Sequence, residues 1–404
     1  MKRWSIAALL CAATLLNYAD RLTLSVVSVD VRREFHLTAQ DYSHIVTLFL
    51  LAYAIMYAGS GYIVDRLGTR RGYAFFVAAW SAAQMLHAAA LGKWTLGGWR
   101  FALGLTEPGN WPAAAKAVAE WFPPEQRALG IGIFSAGSSI GSALAPPVVA
   151  WITLQYGWRA AFLATGSLGL VWLVLWLTIY SPPANAAQSA PAATVDWRTI
   201  MRKRGCWTLI LTRFFTDPVI YFVIFWLPEY LRSERNFDLA MVGRYAWVPF
   251  VFNGIAYLAG GWLSGRLMRA GWPLPRARKA VMLMGAAIMP AAILAPRVPE
   301  AWMAIGAISL MGIGHALWVS NLQALPLDLF PGNEIGTATG FSGMGGAVGG
   351  MIANLGTGWL VANFSYTPVF LLAGLMHPLS AALTYWLLPD RLFAPTPLRQ
   401  PQTP

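Results

Sequence analysis

Long apolar stretches separated by short polar breaks recur along the chain. A helix needs roughly 20 predominantly apolar residues to cross a bilayer. Twelve stretches of that scale can be read, at about 4–29, 42–64, 73–91, 95–116, 127–152, 158–181, 206–231, 241–264, 279–296, 301–325, 335–361 and 366–388. Residues 72–92, 128–158, 160–181 and 301–327 contain no Asp, Glu, Lys or Arg, whereas 279–296 is the shortest and carries Pro290. Backbone amides find no water in hydrocarbon, so spanning segments are helices or a closed barrel. The stretches lack period-two alternation, which selects helices. The pattern predicts an all-α polytopic membrane protein with twelve transmembrane helices.

Composition points the same way. Of 404 residues, 57% are hydrophobic and 11% charged, against about 25% charged in a soluble domain. That excludes a soluble cytosolic or a disordered chain. Cys11 and Cys206 are too few for a disulfide framework or a four-cysteine metal site, and no metal or cofactor is expected. The net charge of +12 would suggest nucleic acid in a soluble protein. Here it reports topology. With both ends cytoplasmic, the inner ends and loops hold 18 of the 29 Lys and Arg, the outer loops hold 8, and Arg21, Arg100 and Arg213 fall within helices. This bias fits a multi-pass protein of the inner membrane. The start, MKRWSIAALLCAATLL, resembles a signal peptide, but the apolar run resumes after Asn17-Tyr18-Ala19-Asp20-Arg21 and no small-x-small cleavage pattern follows. Leu10, before Cys11, is too large for a lipoprotein cleavage site. A retained first helix is expected.

The longest polar break, 182–205, is rich in Pro and Ala and lies at the middle of the chain. The two sides echo one another: Gly61-Tyr-Ile-Val-Asp65-Arg66-Leu recurs as Gly261-Trp-Leu-Ser-Gly265-Arg266-Leu. Two pseudo-symmetric six-helix bundles are therefore expected, 1–181 and 206–390, joined by the 182–205 loop and followed by a tail, 391–404. Duplicated folds of this kind place their substrate site between the halves near mid-membrane. The inner loop Gly61-x3-Asp65-Arg66-x-Gly68-x-Arg70-Arg71 resembles the signature loop of the major facilitator superfamily. Its acid and arginines could lock the inner face through charge-assisted bonds. The second copy departs from the pattern, because Gly265 replaces the acid.

An ionisable side chain at helix centre costs about 2.5–3.5 kcal/mol on insertion scales, so function is sought there. Asn17, Asp20, Arg21 and Leu24 are spaced i, i+3, i+4, i+7 on one helix face, with Tyr18 beside them. They read either as a buried Asp–Arg pair or as a cation for a carboxylate next to a protonatable acid. Arg100, Gly104 and Glu107 share a face of the fourth helix and span about 10 Å along its axis. Glu107 has no Lys or Arg within one turn, and Pro108-Gly109 opens the backbone beside it. That suits a carboxyl that loads and releases a proton. Arg213 and Asp217 read mainly as an internal ion pair near the inner end of helix seven. His315, Trp318, Asn321 and Gln323 interrupt the apolar run of helix ten, where amides can read hydroxyls and an aromatic ring can stack on a sugar. Helix eleven is rich in small residues for close packing, with Asn354 the polar amide near its middle. His377 reads as packing.

NYADRLTLSV (17–26), RFALGLTEPGNWPAAAKAVAEWFP (100–123), FFTDPVIYFVIFWLPEYL (214–231) and HALWVSNLQALPLDLFP (315–331) resemble the anion:cation symporter branch of that superfamily, most closely hexuronate (glucuronate and galacturonate) transporters. The resemblance implies that Asp20 and Glu107 carry protons. It implies that Arg21 and Arg100 recognise the anion, and that Tyr18, Trp318 and Asn354 touch substrate. Ser138 and Ser139 stand where galactonate-type relatives place a Gln, and Leu317 lies beside Trp318, so the sugar acid itself stays open. The expected activity is proton-coupled import of a sugar-acid anion, hexuronate or aldonate, by a monomer. Export or exchange of another organic anion is the same-fold alternative. Intramembrane arginines argue against cationic drugs as cargo. A lipid-linked sugar transferase would need an acid–base or metal cluster, and DxD and Cys/His motifs are missing. A membrane sensor would need a signalling domain that the sequence lacks.

Overall fold

The computed structural model describes residues 2–122, 124–182, 197–330 and 334–393; within these, the side chains of Lys2, Ala58, Asp65, residues 124–129, 335, 336 and 391 lie outside the description. Most of the expected linker and tail therefore lie outside the described residues.

Each of the twelve stretches is helical among the described residues. The helices run α1 (Lys2–Val26), α2 (Ser28–Glu34), α3 (Ala39–Leu86), α4 (Lys93–Thr106), α5 (Asn110–Trp121), α6 (Pro124–Tyr156), α7 (Trp158–Ile179), α8 (Trp197–Arg202), α9 (Arg204–Ser233), α10 (Leu239–Tyr245), α11 (Val248–Arg269), α12 (Leu274–Ile288), α13 (Ala301–Leu322), α14 (Leu325–Leu329), α15 (Ile335–Asn363) and α16 (Thr367–Leu387). Seven segments of the described chain are long and apolar enough to cross a membrane by length and composition alone.

Three boundaries differ from the sequence reading. The second and third stretches run as α3, helical on both sides of Gly68 (φ 75°, ψ 159°). That left-handed conformation suits glycine, which has no Cβ to clash. The chain folds back there, with the Val64 Cα about 3.0 Å from where a Cβ on Gly72 would stand. The fourth stretch is interrupted by a 3-10 turn, Glu107–Gly109, carrying Pro108. The first stretch ends at Val26, and α2 follows as a separate short helix after Val27.

Small residues bring helices close. A Cβ on Gly345 or Gly349 of α15 would collide with the backbone of Ile210 or Phe214 in α9, so the small residues of α15 seat it against α9. Polar links tie the first bundle together: Tyr73 donates to Asn110 Oδ1 (2.6 Å), Asn110 Nδ2 donates to Thr14 Oγ1 (3.1 Å), and Trp172 Nε1 donates to the Leu9 carbonyl (2.7 Å).

Among the described residues, the polar bonds joining the two bundles gather at the end opposite the start of α1 and the end of α16. Arg32 of α2 pairs with Glu229 of α9, and Arg232 of α9 pairs with Asp30 of α2. The Tyr42 hydroxyl donates to the Phe225 carbonyl (2.6 Å), and Asn354 Nδ2 donates to the Ser43 carbonyl (2.7 Å) and to Thr47 Oγ1 (2.9 Å). At the opposite end the pairs Lys203–Glu334, Arg278–Asp328 and Lys279–Asp390 each stay within the second bundle.

Candidate anion and coupling site

Arg21 of α1 and Glu107 of the 3-10 turn meet across the first bundle. Arg21 Nη2 lies 2.6 Å and Nε 3.0 Å from the same oxygen, Glu107 Oε2. Both side chains are buried. Asn17, one turn before Arg21, accepts from Arg21 Nη2 (3.4 Å) and donates to the Glu107 carbonyl (3.4 Å). The other carboxylate oxygen, Oε1, is buried without a partner. The sequence left Glu107 without a cation because none lies on its own turn; the fold supplies one from another helix.

Asp20 parts from Arg21. Consecutive helical residues point about 100° apart, so Asn17 and Arg21 face Glu107 while Asp20 turns toward α3 and α7. Its side chain is fully buried and neither oxygen receives a hydrogen bond of full geometry. The intrahelical Asp20–Arg21 pairing allowed by the sequence is replaced by Arg21–Glu107.

Arg100 of α4 is also fully buried. Its Nη2 donates to the Arg21 carbonyl (2.8 Å), and its guanidinium lies over the rings of Phe49 (4.7 Å) and Phe225 (5.8 Å). Its Nε and Nη1 have no hydrogen-bond partner. A buried guanidinium with open donors is poised for an anion. Gly104 allows the approach, since a Cβ there would strike the Phe49 carbonyl of α3.

Aromatic side chains surround this charge. Arg21 sits over the rings of Tyr18 (4.7 Å), Tyr53 (4.8 Å) and Phe49 (5.4 Å). Arg213 and Asp217 form the expected pair, with Nε–Oδ2 2.8 Å and Nη2–Oδ2 2.7 Å. The pair does not stand apart at the inner end: Tyr18 and Tyr221 lie within electrostatic reach of both Arg21 and Arg213. Tyr57 and Tyr257 lie within reach of Arg213 as well. The sequence reading named Tyr18 alone. Tyr53 and Tyr57, at i and i+4 in a charge-poor run, were the signal for the rest.

The second-bundle candidates separate. His315 Nδ1 and His377 Nε2 share a hydrogen bond (3.1 Å), so His377 does more than fill space. Trp318 packs edge-on against His377 (5.6 Å), and its Nε1 is buried without a partner. Asn321 does not join the cluster: its Nδ2 donates to the carbonyls of Leu317 (3.1 Å) and Gly260 (3.3 Å), and its Oδ1 accepts from Arg278 (3.5 Å). Asn354 belongs to the seal between the bundles, where its Oδ1 also accepts from Trp226 Nε1 (2.8 Å).

In the signature loop, Gly61 packs toward Pro112, and Arg66 and Arg71 are exposed. Arg70 donates to the Leu177 carbonyl (2.5 Å) while its own carbonyl accepts from Trp176 (3.0 Å). This is a cation on the last turn of α7, favoured by the helix dipole, and it stays within the first bundle. The Asp65 side chain lies outside the described residues. In the second half Arg278 donates to both Ser264 Oγ (3.2 Å) and Asp328 Oδ2 (3.0 Å).

Among the described residues no group of His, Cys, Asp and Glu could hold a metal. The Major Facilitator Superfamily model matches residues 10–296 and 271–403. The chain belongs to the Major Facilitator Superfamily. It is 30% identical to the "Hexuronate transporter" of Escherichia coli (strain K12) over 96% of this chain and 94% of that relative. It is 31% identical to the "Galacturonate transporter" of Dickeya chrysanthemi over 71% of this chain and 89% of that one. The solved D-xylose-proton symporter shares its fold, with a TM-score of 0.79 at 16% identity over 96% of this chain and 99% of that chain. This superfamily member is therefore a multi-pass transporter of the inner membrane and not an enzyme.

Proposed function

We propose that this transporter imports a sugar-acid anion together with protons, with both chain ends cytoplasmic. The carrying observation is that Arg21, the cation a carboxylate would seek, is held by Glu107, while Arg100 keeps open donors beside it. The curated relatives whose names specify hexuronate and galacturonate support the cargo class.

The geometry suggests how charge couples to cargo. Two carboxylates cannot both take the best position on one guanidinium. A proton on Glu107 removes its charge and weakens its hold on Arg21. Arg21 is then free to bind the substrate carboxylate bidentately, and Arg100 offers further donors. Tyr18, Tyr53, Tyr57 and Tyr221 supply hydroxyls and ring faces for the sugar. His315, within electrostatic reach of Arg213, and Trp318 bound the site from the second bundle. Asp20 carries a second proton. Membrane potential opposes anion entry by about 2.3 kcal/mol per charge per 100 mV, and two protons with one monoanion reverse that sign. Alternating access would break the α2–α9 ion pairs and remake contacts at the other end.

The test is purified protein in liposomes challenged with hexuronates, aldonates and simple dicarboxylates under an imposed pH gradient. Accumulation of a hexuronate or aldonate driven by outside acidification is expected. Its absence for every organic acid tried would remove the proposal.

A further inference from the structure

The pair Arg213–Asp217 has no role in the scheme above. Both groups sit on α9, one turn apart, so their bond joins no two helices. Arg213 approaches a single oxygen, Asp217 Oδ2, through Nε (2.8 Å) and Nη2 (2.7 Å). Nη1 and Oδ1 take no part in the pair. Arg21 holds Glu107 in the same side-on manner, but that pair ties two elements together and is closed off. Arg213 instead keeps 17% of its side chain exposed. Ionisable groups inside a membrane helix are costly to insert and mark a site or a pathway. A pair that fastens no second helix has its use outside packing.

Helix α15 sets this pair beside the first bundle. Gly343, Gly346 and Gly350 are spaced i, i+3, i+7 on one of its faces. A Cβ on Gly343 would stand 2.9 Å from the Tyr57 ring of α3, one on Gly346 would strike the Asp217 carboxylate, and one on Gly350 would strike the Tyr221 ring. A phenol from the first bundle and the carboxylate from the second thus lie against the same face, less than one turn apart. Tyr57 is 5.5 Å from Tyr53, ring to ring, and the Tyr53 ring is 4.8 Å from the Arg21 guanidinium. Polar groups therefore lead from Arg21 through Tyr53 and Tyr57 to Asp217.

We propose that Arg213 and Asp217 form the subsite for the far end of the sugar acid, and that Asp217 selects a hydroxyl there over a second carboxylate. This rests on the reading of Arg21 and Arg100 as the seat of the first carboxylate. A hydroxyl carries one proton and two lone pairs. It can donate to Asp217 and accept from Arg213 at once, so a neutral donor–acceptor pair suits it. A second carboxylate has lone pairs only. It finds Arg213 already held and meets the like charge of Asp217. Asp217→Asn keeps the shape but removes that charge, and leaves Arg213 to take a second carboxylate through its planar fork.

The experiment is counterflow by the full chain in liposomes, with whichever of radiolabelled D-glucuronate and D-gluconate exchanges faster. D-glucarate, the six-carbon acid with a carboxylate at both ends, is the unlabelled competitor, and the labelled acid's own unlabelled form is the reference. In the wild type D-glucarate should compete about tenfold more weakly than the reference, or worse. In Asp217→Asn that gap should close by about tenfold or more, and adding Arg213→Gln should take the gain away. A merely structural pair would change both competitors alike and leave their ratio in place. Equal competition by the two acids in the wild type, or an unchanged gap in Asp217→Asn, overturns the proposal. Should Asp217→Asn fail to reconstitute, Asp217→Ser, also uncharged and smaller, takes its place with the same two outcomes. Unaltered affinity for the labelled acid in Arg21→Lys removes the seat of the first carboxylate instead, and absence of exchange for every sugar acid removes the cargo reading.

Discussion

Arg21 and Glu107, 86 residues apart in sequence, place Nη2 and Oε2 2.6 Å from one another in a buried setting. Breaking a buried pair from one side leaves an uncompensated charge and costs about 3–5 kcal/mol. The two partners should therefore respond differently to conservative change. Glu107→Gln keeps shape and hydrogen-bonding capacity but cannot titrate. Proton-driven uptake should fall to the level of empty liposomes, while counterflow stays within about threefold of wild type, under 1 kcal/mol. Arg21→Lys keeps charge but loses the planar fork, and should weaken apparent substrate affinity about 10- to 100-fold. Counterflow assays on both variants check this.

The crossed pairs Asp30–Arg232 and Arg32–Glu229 should hold the bundles together at one end. Reversing one charge, as in Asp30→Arg, sets like charges face to face. A bias of about 1.4 kcal/mol would change the open population tenfold. Labelling of Thr47→Cys by an impermeant thiol reagent should rise several-fold in that variant, with Cys11 and Cys206 replaced by Ser. The double variant Asp30→Arg with Arg232→Asp should bring labelling back, and their coupling can be read as a double-mutant cycle.

Packing of α15 on α9 gives a matched pair of glycine tests. Gly349→Val drives a side chain into the Phe214 backbone, and overpacking of this kind costs about 1–3 kcal/mol. Gly356 lies on the same helix with open space around it, so Gly356→Ala should be tolerated. Thermal unfolding in detergent should show a lowered Tm for the first and little change for the second.

At the start of α3, Lys93 and the Thr38 backbone amide hold the Asp41 carboxyl well below the usual carboxylate range. Arg159 and the Trp158 indole lower that of Glu34. A depressed carboxylate contributes stability that is present above its unfolded value and fades as pH falls toward its folded one. The Tm deficit of Asp41→Asn should therefore be constant from pH 8 to about 5 and shrink below about pH 4. Thermal melts of wild type and variant across that range check the sign.

Much of the fold was legible because lipid imposes it. Backbone satisfaction in hydrocarbon demands long apolar helices, and stretches such as 160–181 declare themselves by having no charge. Breaks were legible where chemistry marks them, as at Gly68 and Pro108. Boundaries such as the separate α2 were not, because Val27 and Ser28 are as apolar or small as the residues before them. In the site, charge alone flagged Asp20, Arg21, Arg100, Glu107 and Arg213. Asn321 looked like a substrate amide because residue type does not show which carbonyls lie opposite; the fold turns it to Gly260 and Arg278.

By itself the amino-acid order determined that this chain is a bundle of membrane helices, and which ionisable groups it carries into the apolar region. Helical periodicity and hydropathy are local properties, and each can be read from a window of one or two turns. Partners are not local. That Arg21 meets Glu107 rather than its neighbour Asp20, that His315 meets His377, and that Asn354 bonds Ser43 depend on which helices lie side by side. Only the tertiary structure decided those pairings, because facing side chains are chosen by the rotation and close approach of helices, which small residues such as Gly104 and Gly349 permit.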